Sequence, residues 1–238
     1  MRRTLAALAL APLLLAGCGD GPATRGDAAA PQSPPASEAS PSASPSSAAA
    51  SPSSAPASRA PAGKTYRYVF PVRGGKASYA RTHHHYPASD IIATCNAVVV
   101  SPVDGVVLEV SRVDTFDRKV NAGATRGGLS VSVLGDDGVR YYGAHYSSID
   151  AFVEPGVRVA AGQQIAKVGS TGDSGACHVH FGISPACAKT GDWWNRRGVI
   201  YPWSYLDAWR AGTAKSPVNE IADWQRRNGC PTKPTVYP

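Results

Sequence analysis

Residues 66–183 read as short strands separated by glycine turns, and in several of them apolar and polar positions alternate with the period of two of a half-buried strand. Tyr66-Arg67-Tyr68-Val69-Phe70 alternates up to Pro71 and reads as an opening strand. Ala97 to Val100 and Val106 to Val110 are β-branched runs joined through Pro102-Val103-Asp104-Gly105, and Asp-Gly there predicts a hairpin. Leu129, Val131 and Val133 alternate with Ser130 and Ser132. They turn through Gly135-Asp136-Asp137-Gly138 and return along Val139 to Ala144, a second hairpin with His145 at its far end. Pro155-Gly156 and the run Ala160 to Gly169 give a turn and a short strand, after which Ser170 to Gly175 leads into the strand Cys177 to Gly182. Between the hairpins, Ser111 to Gly128 is a polar connection long enough to be a functional loop at the rim of a cleft.

Helical signals come only at the end. Ser204 is placed to cap a helix that carries Asp207 at its third position and stops before Gly212, and Ser216-Pro217 opens a second running to about Arg227. Trp203, Leu206 and Trp209 would dock the first helix on the sheet, and Trp193-Trp194 could line a groove. The fold class is therefore mostly β, built of antiparallel sheet over a core of 66–185, with a short helical extension over 200–238.

Within that scaffold the histidines are not scattered. All six fall in three places: His83-His84-His85 followed by Asp90, the lone His145, and the pair His178-Val179-His180. On a strand, His178 and His180 share one face while Val179 and Phe181 turn to the other, so both imidazoles stand over a surface the sheet supports. A catalytic zinc site needs three protein ligands and an open position. Asp90 and His180 supply an anionic and a neutral ligand, and the third comes from the triple histidine. His84 lies six residues before Asp90, an even separation that puts both on one face of an extended segment, whereas His83 or His85 would need a bulge. His84 is the expected ligand. His178 is then free to move a proton between water and the leaving amine, and His145 to hydrogen-bond the developing oxyanion. Each feature alone has a structural explanation, such as a solvated loop or a surface imidazole; their joint order points to Zn2+.

Composition sets the address. Residues 1–18 combine Met-Arg-Arg, an apolar run from Leu5 to Leu15 and small residues before Cys18, the pattern of a secretory signal rather than a transmembrane helix. Leu15-Ala16-Gly17-Cys18 resembles a bacterial lipobox, which implies that Cys18 is acylated, so that the domain is extracytoplasmic and lipid-anchored to the cell membrane. Residues 19–63 are dominated by Ala, Pro and Ser and cannot bury enough surface to offset their ordering entropy. They read as a disordered tether with a root-mean-square span of about 35 to 40 Å, leaving 64–238 as one domain. Apart from Cys18, Cys95, Cys177, Cys187 and Cys230 remain, an even number that predicts two disulfides in an exported domain. The pairings expected are Cys177 with Cys187 and Cys95 with Cys230. The net charge of +7 suits an anionic envelope polymer or membrane surface. No basic run interleaved with aromatics suggests nucleic acid.

The ordered set Phe70-Pro71-Val72, His with Asp90-Ile91, Pro102 to Val107, Tyr141-Tyr142-Gly143-Ala144-His145, Val159 to Gly172 and His178 to Gly182 resembles the lysostaphin/LytM-type zinc endopeptidases. The likeness covers about residues 68 to 185. It implies an antiparallel β fold with a groove, one zinc, and peptidoglycan peptides as substrate. Carried over, it implies His84, Asp90 and His180 as ligands and His145 and His178 as catalytic residues. That family usually carries His-x-Gly-x-Asp, whereas Tyr86 stands four residues before Asp90 here, so a bulged variant is needed to bring a histidine to the metal. Two other readings have distinct signatures. A non-catalytic module activating another wall hydrolase would lack ligands, and a biotinyl or lipoyl carrier would need a lysine at the Val103-Asp104-Gly105 tip, which has none. Which peptide bond is cut, and whether a regulatory protein gates the cleft, is not written in the chain.

Overall fold

Among the described residues, eleven strands form two antiparallel sheets, because the alternating runs each offer one apolar face and the glycine turns fold them back on one another. The computed structural model describes residues 64–187 and 190–234. The expected signal, lipobox cysteine and tether, residues 1–63, lie outside the described residues. Among the described residues no helix is long and apolar enough to cross a membrane.

The strands are β1 (Val72–Arg73), β2 (Ala77–Tyr79), β3 (Ser89–Ala93), β4 (Val98–Val100), β5 (Gly105–Ser111), β6 (Ser130–Gly135), β7 (Val139–Ala144), β8 (Tyr146–Ile149), β9 (Arg158–Val159), β10 (Gln164–Val168) and β11 (His178–Pro185). The helices are α1 (Trp193–Arg196), α2 (Trp203–Arg210) and α3 (Val218–Asn228). One sheet runs β1-β4-β10-β8, and the larger one runs β2-β3-β11-β7-β6-β5-β9. On the larger sheet Ile91, Val179, Phe181, Tyr141, Val131, Val133 and Val107 are buried in the common core. The other face carries the polar residues Asp90, His178, His180, Tyr142, Arg140, Ser132 and Glu109, along with Ile92 and Leu134. The period of two thus separates a core face from a working face on the same strands.

The β6–β7 hairpin forms as expected, with Val131 opposite Gly143 and Leu134 opposite Arg140. Other expectations change. Residues 66–70 make only a single bridge, Tyr68 to Val103, and the ladder begins beyond Pro71 at β1. Tyr68 instead buries its ring, stacked 5.3 Å from Trp209. The Asp104-Gly105 turn does not close a hairpin, since β4 and β5 lie in different sheets. Asp104 is engaged elsewhere: its carboxylate accepts from the Ala161 amide at 2.9 Å and its carbonyl from the Asp136 amide at 2.9 Å, so the turn is a corner between sheets.

At the C-terminal end α2 starts one residue before Ser204, which does not cap it but accepts from the Lys215 ammonium at 2.9 Å. Leu206 and Trp209 dock on the core as expected, with Trp209 6.2 Å from Phe181 and 6.1 Å from Tyr141. Trp203 does not; its ring receives the Arg81 guanidinium at 4.5 Å. Two disulfides are present, but they join Cys95 to Cys177 and Cys187 to Cys230, which corrects both expected pairings. Cys177 ends the loop before β11 and faces the turn after β3, because those two strands are neighbours; Cys187 lies beyond the far end of β11, too far along the strand to reach back.

Candidate metal centre and cleft

Strand register builds the centre. His180 on β11 is directly opposite Asp90 on β3, and His178 is opposite Ile92. Nδ1 of His180 consequently lies 3.0 Å from Oδ1 of Asp90, and Nε2 of His178 lies 3.8 Å from the same oxygen. The third group is His83, whose Nε2 is 3.6 Å from Oδ2 of Asp90. Donor atoms of His83, Asp90 and His180 all lie within 4.8 Å of one another. His84 and His85 are exposed, with the His84 ring 6.0 Å from that of His83 and facing the cleft rim. The sequence expectation of His84 rested on an extended segment. Residues 84–87 are a run of bends instead, so parity along the chain carries no facing information there. Tyr86, 4.4 Å from His83 and 5.7 Å from His180 ring to ring, packs against both imidazoles.

These residues fit a divalent cation on a point of hydrogen-bond chemistry. Nε2 of His180 is 2.9 Å from the Arg197 carbonyl oxygen, which can only accept, so Nε2 carries the proton. With Nε2 committed to that carbonyl, Nδ1 faces a carboxylate oxygen of Asp90 3.0 Å away, and a mixed nitrogen and carboxylate donor set of this kind suits zinc. Fixing a ligand imidazole through its other nitrogen is also how metal-binding histidines are generally oriented. Burial pulls Asp90 upward, but the His180 hydrogen bond and the positive forms of His180, His83 and His178 outweigh it and hold the carboxyl well below the usual range. Burial, with His180 adding to it, lowers the His83 imidazole to about 4, so it is a neutral donor at physiological pH.

His145 and His178 stand beside this group, their rings 4.6 Å apart. His145 directly follows β7 with φ of 66°, a left-handed conformation that is costly for a residue with a side chain and that turns the ring out of the strand's alternation into the cleft. Its Nδ1 donates to the Thr171 carbonyl at 2.7 Å, leaving Nε2 as a lone pair. Burial, then the neighbouring imidazoles, lower His145 to about 4. His178 is held the same way: Nδ1 donates to the Ala176 carbonyl at 2.9 Å, with Ser174 Oγ at 3.2 Å. Thr171 is in turn locked by its hydroxyl, which donates to the Tyr146 carbonyl at 2.9 Å and accepts from the Leu129 amide at 3.0 Å.

All six histidines and Asp90 line a cleft of about 330 Å³. One wall comes from the long loop after β5, through Gly123, Arg126 and Gly127, as its length suggested. The adjoining wall is Trp193, Arg196 and Arg197, from α1 and the residue after it. A charge network fixes that wall to the working face of the sheet. Fully buried Arg140 pairs with Glu109 at 2.8 Å and with Asp192 at 2.7 Å, and Arg196 pairs with the same Glu109 oxygen at 2.8 Å. Arg196 also donates to the Ala124 carbonyl at 3.0 Å, tying the two walls together. Sequence reasoning missed the Arg197 carbonyl, Thr171 and Gly182. The last two lie inside quoted motif segments, but a backbone acceptor such as Arg197 leaves no mark in sequence.

A mostly antiparallel β domain whose cleft gathers two His and one Asp as candidate ligands, beside two tautomer-fixed histidines, has the makings of a metallopeptidase site. Residues 84–191 match the model of Peptidase family M23. No curated protein matches the chain. Among solved structures it is similar to the catalytic domain of the antimicrobial peptidase lysostaphin from Staphylococcus simulans, at 22% identity over 54% of this chain and 92% of that one, TM-score 0.41. The antimicrobial peptidase lysostaphin from the same organism is similar at 22% identity over 60% of this chain and 55% of that one, TM-score 0.43. A zinc containing peptidase from Vibrio cholerae is similar at 22% identity over 52% of this chain and 37% of that one, TM-score 0.38. This chain therefore spans less than two thirds of those two longer proteins.

Proposed function

We propose that this protein is a zinc-dependent endopeptidase that hydrolyses peptide bonds of bacterial peptidoglycan, with His83, Asp90 and His180 holding the metal. The observation that carries the reading is the convergence of donor atoms of His83, Asp90 and His180 within 4.8 Å of one another, with His180 Nε2 held by the Arg197 carbonyl and Nδ1 facing Asp90 at 3.0 Å. Zinc, when bound, supplies a Lewis acid that makes a hydroxide nucleophile available near neutral pH and polarises the scissile carbonyl. His178, with Nε2 free and Nδ1 anchored, takes the proton of the attacking water and returns it to the leaving amine. His145 offers a lone pair at Nε2 as well, since its proton is committed to Thr171. On this reading it acts as a second acceptor that orients the attacking water, beside the oxyanion contact expected from the sequence.

The substrate half of the reading is supported by the match to Peptidase family M23, the open cleft and the basic chain. The envelope address, with acylated Cys18 anchoring the domain to the membrane and residues 19–63 as its leash, belongs to the same proposal. Purified cross-linked muropeptides incubated with the zinc-loaded protein should yield products that differ by hydrolysis of peptide bonds. A chelator should stop this and added zinc restore it. Intact peptides after incubation with fully metal-loaded protein would overturn the proposal and leave a binding module. A Cys18→Ala variant should move from the membrane fraction to the soluble extracytoplasmic fraction.

A further inference from the structure

The cleft is asymmetric in charge beyond its metal centre. Its lining carries three arginines, Arg126, Arg196 and Arg197, against two carboxylates, Asp90 at the centre and Asp173, which lies 3.9 Å from Arg126. The charge of Arg196 is met by Glu109 in the wall network. Arg126 lines the cleft from the loop after β5 and Arg197 from the residues after α1. Arg197 lies between two rings, its guanidinium 4.0 Å from the centroid of Tyr86 and 5.1 Å from that of Trp193. Two flanking rings hold the planar fork flat, which reduces the freedom it would lose on gripping a ligand. Arg126 keeps about half of its side chain exposed, and its Nε is bonded to Asn121 at 2.9 Å.

Tyr86 also fixes the distance to the chemistry. Its ring is 4.0 Å from the Arg197 guanidinium and 5.7 Å from the His180 ring, so the cation is no more than about three extended residues from the metal centre. We propose that Arg197, assisted by Arg126 of the same cleft lining, is a carboxylate-binding subsite that selects peptides bearing a free carboxylate within about three residues of the scissile bond. This rests on the peptidase reading above and narrows its substrate to anionic peptides. Guanidinium to carboxylate pairing is bidentate and charge-assisted, so the subsite contributes to ground-state binding more than to the chemical step.

The test uses muropeptides purified from a peptidoglycan digest and the same muropeptides with carboxylates amidated by carbodiimide and ammonia. Binding to the zinc-loaded protein is read by quenching of tryptophan fluorescence, in which Trp193 beside Arg197 takes part, and hydrolysis is read by product mass. The acidic peptides should bind tenfold or more tighter than the amidated ones, with the difference in KM and little in kcat. Arg197→Gln and Arg126→Gln should each shrink that ratio, and Arg197→Lys should restore part of it. Equal affinity for acid and amide, or an unchanged ratio in both glutamine variants, overturns the subsite even if both peptides are cleaved. Selective binding without any cleavage leaves the subsite standing and removes the peptidase reading instead.

Discussion

The Arg197 carbonyl and His180 Nε2, 2.9 Å apart, join the wall of the cleft to the metal centre. That contact needs Gly182. A Cβ at this position would meet the Arg197 carbonyl oxygen at 2.4 Å and its carbon at 2.5 Å, so any side chain here pushes the acceptor away from His180. Gly182→Ala should leave β11 folded but weaken zinc binding about 10- to 100-fold, the usual cost of losing the partner that orients a ligand histidine. Competition with a chromogenic chelator measures this, and unchanged zinc affinity would show that the carbonyl does not set the ligand's tautomer.

The ligand set and the proton-moving set separate by readout. His83→Ala and Asp90→Ala should lose bound zinc, because each removes a donor from a group spanning 4.8 Å. His84→Ala should retain it, its ring lying outside that group. His178→Ala should keep the metal while turnover falls by about two to four orders of magnitude, the scale of general acid–base catalysis. Zinc content by elemental analysis and turnover on muropeptides separate these outcomes; a His84→Ala protein stripped of zinc would return the ligand role to the residue favoured by sequence parity.

What could be read from the chain follows from where periodicity holds. The pair His178 and His180, their shared face and the core side of Val179 and Phe181 are consequences of a period of two on a real strand, and β11 is one. The approach to Asp90 is not. Between Thr82 and Ala88 the backbone bends, so the choice among three adjacent histidines depended on tertiary packing against Tyr86 that no local pattern encodes. The same limit explains β4 and β5: Asp-Gly signals a turn, but which strands flank it was decided by β1, β10, β6 and β9 filling their edges. Cysteine pairing likewise followed strand adjacency, placing Cys177 beside the turn after β3.

That pairing carries a stability prediction. Cys95 and Cys177 are separated by 82 residues, and closing a loop of that size removes unfolded-state entropy equivalent to about 4 kcal/mol in the chain-entropy account. The double variant Cys95→Ser, Cys177→Ser should lose most of this in urea unfolding. Because Cys177 sits next to His178 and the Ala176 carbonyl that anchors it, turnover should fall further than the folded fraction does. Equal losses in both would mean the bridge holds the domain together without placing the catalytic imidazole.

Glu109 concentrates a different kind of stability, because one carboxylate oxygen serves two arginines, Arg140 and Arg196, at 2.8 Å each, and Arg140 is fully buried. Burial opposes its ionised form, but Arg196, Arg140 and the Gly191 amide outweigh it and lower the Glu109 pKa below its ordinary 4.5. A folded-state pKa below the unfolded value means stability that is complete above about 4.5 and disappears as pH falls from there through the folded value. Replacing Glu109 with Gln leaves Arg140 buried with only Asp192 as an anionic partner, and removing one member of such a group costs about 3 kcal/mol. Urea midpoints of the native protein and Glu109→Gln should therefore differ widely at pH 7 and converge on acidification below 4.5. Since Arg196 bonds the Ala124 carbonyl from this same network, the variant should also expose the loop after β5 to proteolysis at neutral pH. Midpoints that stay apart by the same amount at pH 3 would show that the arginines are held by packing rather than by the Glu109 charge.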